Sequence, residues 1–258
     1  MLYLKLIDFS RFLTGSPSER NDTASAILHG FKTAGFIYLK NHPISPEDLK
    51  HAFDLSARWF NQPDETKMKV VWTTPEANRG YSAPGREKVT QLMDTAEVEK
   101  VRAALPDIKE SLEIGRENEA GHPNQWLEES GDMVGFRKDM LVFFEQCRQL
   151  HVEVMKAIAV GMGLDDSFFD GFVDVGDNTL RLLHYPAVQS NVFKINPGTV
   201  RAGEHSVSDS WYSSRQITDK SGLRFNHSTI SRCSRWTTSQ KPNRSLRRCN
   251  ADRRNSCC

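Results

Sequence analysis

The chain has 258 residues, 38% of them hydrophobic and 26% charged, with a net charge of +1. These values are those of a globular protein with room for one domain of ample core or two small ones, and they exclude a highly charged disordered polymer. No apolar run reaches the ~18 residues that span a bilayer, so no membrane partner is expected and the expected setting is cytoplasmic and reducing.

The first segment, Leu4 to Ser10, alternates well enough for a short strand, and Lys5 and Asp8 within it argue against a signal peptide. A polar link follows. From about Glu19 to Ala34, the residues Ala24, Ile27, Leu28, Phe31 and Ala34 recur at helical spacing, and Gly35 is placed to end the helix. Gly35 to Asn41 reads as a β-rich run closed by His42-Pro43. Ser45-Pro46-Glu47-Asp48 then combines an N-cap serine, a proline at the first helical position and acids at the positive end of the dipole. Leu49, Ala52, Phe53, Ser56, Trp59 and Phe60 share one face of that helix, and Pro63 closes it.

From Trp72 to Asp107 the chain is irregular, and a loop of that length inside a compact domain is often functional. Ile108 to Gly115 alternates like a half-buried strand. The clearest helix runs from Asp132 to about Val160, with a stripe of Phe136, Met140, Phe143, Cys147, Leu150, Val154 and Ile158. At ~1.5 Å per residue it is ~45 Å long. Residues of the DSFFDGFV run predict a short helix, and Leu180 to Tyr185 and Thr199 to His205 predict strands.

At Val207 the character changes. From Val207 to Cys258 there are eleven Lys/Arg and three Asp/Glu, which leaves 23 basic and 30 acidic residues before it. The same stretch holds eleven Ser, nine Arg, four of the five cysteines and only six of Val, Ile, Leu, Met and Phe. It shows neither helical nor strand periodicity, and it is expected to be disordered.

Seven phrases, taken in order, carry a resemblance: IDFS, GFIYLKNHPI, WFNQPDETK, RGYS, DIKESLEIGRE, LRLLHYPAV and RAGEHS. Over roughly the first 206 residues the chain resembles the non-haem iron(II)/2-oxoglutarate-dependent dioxygenases of the isopenicillin N synthase-like family. The resemblance implies an α+β fold in which N-terminal helices pack on a double-stranded β-helix, or jelly roll, here incomplete. It implies an N-terminal dioxygenase domain over 1–125, the long helix and first strands of the oxygenase domain over 126–206, and an aberrant Ser/Arg-rich tail over 207–258. It also implies Fe(II) and 2-oxoglutarate as cofactors, a small-molecule substrate and no nucleic-acid partner. The implied reaction is oxidative: 2-oxoglutarate is decarboxylated and a substrate C–H bond is hydroxylated, desaturated or closed into a ring.

In this family the metal is held by His-x-Asp and a distant His, a facial triad with open positions. His205, in RAGEHS, matches the first histidine. The carboxylate is due at position 207, where the chain has Val207, which offers no lone pair. Residues i and i+2 of a strand lie ~6.5–7 Å apart on one side, whereas Asp209 is ~13 Å from His205 along an extended chain. Asp209 therefore serves as a ligand only through a tight turn. His227 follows too soon to match the second histidine. Tyr185 resembles the tyrosine whose hydroxyl helps hold 2-oxoglutarate; read bare, it is a strand tyrosine with a wet hydroxyl. Arg232 and Ser234 fit the family's Arg-x-Ser pair, although a tail so rich in both produces such pairs by chance. Arg79, Gly80, Tyr81, Glu110 and Ser111 resemble positions at the pocket mouth, for which loop packing is an equal explanation. His184 and Arg181 read as strand residues with local partners.

Three accounts compete for the tail. A nucleic-acid contact lacks binding signatures and aromatic spacing. A zinc cluster of Cys233, Cys249, Cys257, Cys258 and His227 lacks paired ligands at zinc spacing. Translation of a retained intron or a shifted frame explains the lost periodicity, and GTAAGT, a common splice-donor sequence, would encode Val207-Ser208. That third account is favoured. With it comes the expectation of an incomplete metal triad and no turnover, the alternative being a non-catalytic remnant that acts, if at all, by binding another protein.

Overall fold

The structure, a computed structural model, describes residues 4–72, 78–85 and 108–188 together with the backbone of 223–229. Strand β1 (Lys5–Asp8) pairs in parallel with β2 (Ile37–Lys40), with Leu6 opposite Tyr38. Between them lie α1 (Ser10–Thr14), where only a polar link was expected, and α2 (Pro17–Ala34). Helix α2 starts one turn earlier than its apolar period suggests because Ser16 and Glu19 form a reciprocal capping box. The Ser16 amide donates to Glu19 Oε2 at 2.9 Å, and Ser16 Oγ accepts from the Glu19 amide. Gly35 ends the helix with φ 72°, its amide bonded to the Phe31 carbonyl at 3.1 Å.

Helix α3 (Pro46–Phe60) begins as its sequence predicts, with Ser45 Oγ accepting from the Asp48 amide at 3.0 Å. It buries Ala52, Phe53, Leu55, Ser56, Trp59 and Phe60. A short α4 (Asp64–Lys67) follows. The long helix, α5, spans Phe136–Gly161; its first expected turn is instead a 3₁₀ turn at Gly131–Met133, and Gly135 takes φ 84° before the helix proper. Its buried stripe is the predicted one, extended by Phe144, His151, Ala157 and Ala159. Helix α6 is a single turn, Asp170–Val173.

Four strands form an antiparallel sheet in the order β3 (Gly80–Ser82), β4 (Glu110–Gly115), β5 (Asn178–His184) and β6 (Leu223–Thr229). Its helix-side face contributes Tyr81, Leu112, Ile114, Leu180 and Leu182 to one core with Trp59, Phe60, Met140 and Val154. Strand β4 departs from the half-buried expectation: all six of its residues are buried, so its polar positions must find partners inside the protein.

Strand β6 lies in the tail expected to be disordered. Its backbone pairs along the whole of β5, from Asn178 opposite Thr229 to His184 opposite Leu223. The ladder asks only for main-chain donors and acceptors, and β5 would otherwise present an open edge. The rest of the tail, including the cysteines considered for zinc, lies outside the described residues, as does the strand expected over Thr199 to His205.

Candidate functional site

In an antiparallel sheet directly opposed residues share a face. Tyr81, Leu112 and Leu182 are opposed in turn and face the helices. Gly80, Glu113 and Arg181 form the adjacent row, and Ser82, Ser111 and Leu183 the next. Those two rows lie on the opposite face, which is rich in hydrogen-bonding groups and also buried: Ser82 and Ser111 are 2% exposed and Glu113 is 1%.

Glu113 organises this polar face. Ser111 Oγ donates to its Oε1 at 2.8 Å, Arg181 Nε forms an ion pair with the same oxygen at 2.7 Å, and the Trp72 indole donates to Oε2. The indole also reaches the Gly80 carbonyl at 3.1 Å. Gly80 has φ 108°, and an added Cβ would stand 2.5 Å from the Val70 carbonyl oxygen, so only glycine lets the chain run this close to its neighbour. Beyond it, Arg79 is 4% exposed; it pairs with Glu119 at 2.6 Å and donates to Thr179 Oγ1 at 3.1 Å. Burial would raise the Glu119 pKa, but the neighbouring Arg79 charge and its hydrogen bond hold the carboxyl below the ordinary range.

A second hub lies on the helix side of the same strand. Glu110 Oε2 accepts from Lys67 Nζ at 2.9 Å and from Tyr81 Oη at 2.6 Å, while Oε1 meets His184 Nδ1 at 2.6 Å. Lys67 also pairs with Asp64 at 2.9 Å and reaches the Phe60 carbonyl at 3.3 Å. Burial alone would raise the Glu110 pKa, but the bonds from His184, Tyr81 and Lys67 together lower it. Burial and then the Glu110 bond push the Tyr81 phenol up, so it stays a donor. The His184 ring lies 5.2 Å from the Phe60 ring.

Arg79, Gly80, Tyr81, Glu110 and Ser111 thus all belong to the two hubs or their edge. His184 and Arg181 have cross-strand partners, as expected of strand residues. Tyr185 is half-buried and follows β5 directly, at the end of the sheet that Glu110 and His184 occupy. Lys67, Trp72 and Glu113 were not singled out in the sequence; only their places in the phrases WFNQPDETK and DIKESLEIGRE, or just after one, marked them.

His205, Asp209, Arg232 and Ser234 lie outside the described residues, and His227 is described only as backbone of β6. Among the described residues no three His, Cys, Asp or Glu side chains converge to hold a metal ion. With Val207 where a carboxylate is due, the donor set that can be traced does not complete an iron site. Among the described residues no helix is long and apolar enough to cross a membrane.

Residues 4–129 match a family model described as non-haem dioxygenase in morphine synthesis N-terminal. The 2-oxoglutarate-Fe(II) type oxidoreductase ppzD of Metarhizium rileyi is 33% identical over 205 residues, covering 79% of this chain and 57% of that protein. The proline hydroxylase buaE of Petromyces alliaceus is 31% identical over 201 residues, covering 78% of this chain and 60% of its own length. The chain therefore spans somewhat over half the length of these curated relatives. Among solved structures, a full-length Neurospora crassa protein in complex with alpha-KG and thymine is 57% identical, with a TM-score of 0.74, covering 88% of this chain and 74% of that one. These relatives are jelly-roll oxygenases that use Fe(II) and 2-oxoglutarate. By these matches the chain belongs to the non-haem iron(II)/2-oxoglutarate-dependent dioxygenase family.

Proposed function

We propose that this chain descends from a hydroxylase-type Fe(II)/2-oxoglutarate oxidoreductase acting on a small 5-substituted uracil, and that its metal site is interrupted at Val207. The observation that carries the reading is the 57% identity to the Neurospora crassa protein, solved with alpha-KG and thymine and also, at 51% identity in that comparison, with 5-formyluracil. The polar face of the sheet suits such a ligand. A uracil ring offers two carbonyl oxygens and an N–H between them, and Arg181 supplies a planar donor fork on a face that is otherwise sequestered.

In this reading His205 is a metal-ligand position and Tyr185 stands beside the 2-oxoglutarate site. Asp209 is the nearest carboxylate to take the place that Val207 leaves empty. The proposed boundaries are a dioxygenase N-terminal domain over 1–125, the start of the oxygenase domain over 126–206 and a departure from the family over 207–258.

The test has two arms. Anaerobic Fe(II) titration followed by succinate assay, with thymine present, should show no 2-oxoglutarate turnover by this chain. A genomic read across the codons for Ser206 and Val207 should reveal a spliced or shifted reading that restores His-x-Asp, and the restored protein should release succinate. Turnover by the chain as it stands would refute the interruption. A restored protein that is inert with thymine and 5-formyluracil would refute the substrate class. The valine at position 207 also favours a second reading, a non-catalytic remnant acting through protein contacts; saturable iron and cosubstrate binding by this chain would count against it.

A further inference from the structure

The two glutamate hubs of β4 differ in what they do with their cations. At Glu110 the cation is withdrawn completely: the Lys67 and Glu110 side chains are each 5% exposed. At Glu113 the carboxylate is 0% exposed but its cation, Arg181, keeps 26% of its side chain open. The first is a closed structural pair; the second holds a guanidinium at the boundary between protein and open space.

The anchoring of Glu113 explains how that hold is made directional. Each carboxylate oxygen is met by an uncharged group from another point of the chain: Oε1 by the Ser111 hydroxyl two residues away, Oε2 by the indole of Trp72. Trp72 is itself fixed, because its indole also bonds the Gly80 carbonyl. The plane of the carboxylate is therefore set by groups other than Arg181, which stands directly across the ladder from Glu113. A guanidinium drawn by its Nε edge onto a fixed carboxylate has one orientation, and the cost of ordering it is met during folding instead of on binding.

We infer that Glu113 is a positioning residue that aims Arg181 at the carbonyl-bearing edge of a uracil-type ligand. This rests on the proposal that the polar face takes a uracil. Glu113 touches no ligand in this account; Ser111 and Trp72 act through it.

The experiment is calorimetric titration of thymine and of 5-formyluracil into the full chain without added iron. The parent should bind saturably. Glu113→Gln, which keeps the shape and removes the charge, should weaken binding at least tenfold. Arg181→Lys, which keeps the charge and loses the fork, should weaken it similarly. The double variant should be no weaker than Arg181→Lys alone, because a positioning residue has nothing left to position. A merely structural glutamate would give additive losses, which would overturn the assignment, as would wild-type affinity in Glu113→Gln. If Glu113→Gln does not fold, Ser111→Ala replaces it, with a two- to threefold loss expected and unchanged affinity overturning the inference. A parent chain that binds neither pyrimidine sinks the uracil reading and this inference together, whereas a parent that binds with an indifferent Glu113 sinks this inference alone.

Discussion

His184 Nδ1 lies 2.6 Å from Glu110 Oε1, joining β5 to β4 at the end of the sheet where Tyr185 begins. The same carboxylate neutralises Lys67, which is 4% exposed. Removing one member of such a group leaves the others charged and dry. Glu110→Ala should therefore cost about 3–5 kcal/mol, the range for breaking a buried pair from one side. Glu110→Gln, still able to accept from Tyr81, should cost less. Urea unfolding followed by circular dichroism measures both, and a loss in Glu110→Ala below that of an average surface substitution would refute the account.

The buried imidazole of His151 makes stability depend on pH. Burial, and then the charge of Arg148, hold it down to about 4 from an ordinary 6.5. The unfolded chain takes up a proton near pH 6.5, and the folded one resists until about pH 4. The contribution of His151 is therefore complete above pH 6.5, falls as pH drops through that window, and levels off below it. It amounts to on the order of 3 kcal/mol. Unfolding midpoints at pH 7 and pH 5 should differ, and His151→Leu should flatten the slope between them. An unchanged slope in the variant would assign the acid sensitivity elsewhere.

Helices α2 and α5 meet where Gly161 has no side chain. A Cβ added there would lie 2.6 Å from the carbonyl oxygen of Ala24, a backbone atom that cannot swing aside. Alanine gains ~1 kcal/mol in helix propensity, but overpacking costs about 1–3 kcal/mol, so Gly161→Ala should destabilise on balance. Gly171 in α6 has nothing within 4 Å of an added Cβ, and Gly171→Ala should be neutral or slightly stabilising. Thermal melts of the two variants should shift in opposite directions or by clearly different amounts.

The capping box at α2 gives a smaller and more local expectation. Ser16→Ala removes the acceptor for the Glu19 amide and loosens the return bond from the Glu19 carboxylate. The cost should be about 1 kcal/mol. Hydrogen exchange should speed up in the first turn of α2 and remain unchanged in α5.

The helices were legible because their signals are local. Ser45-Pro46 announced α3, and the stripe from Phe136 to Val154 announced the buried side of α5 before any partner was known. The chemistry of β4 was not legible in the same way. Its alternation suggested one wet face, yet Ser111 and Glu113 are buried because Trp72 and Arg181, distant in sequence, meet them there. Lys67 looked like an ordinary charged helix end, and only the approach of Glu110 makes its burial tolerable. Strand β6 was missed for another reason. Leu223, Phe225, His227 and Thr229 do alternate with Arg224, Asn226 and Ser228, but the surrounding Ser/Arg composition masked a period that short.

The Glu110 hub also bears on the order in which the chain can become folded. Its donors come from 43, 29 and 74 positions away, so no fragment ending before β5 contains them all. During synthesis, Lys67 and Tyr81 leave the ribosome before the acid that binds them, and His184 arrives last. Until then the helical half can collapse on its apolar stripes, but the ammonium has reason to stay in water. Closure of the sheet against the helices is thus a late event, governed by the arrival of one strand.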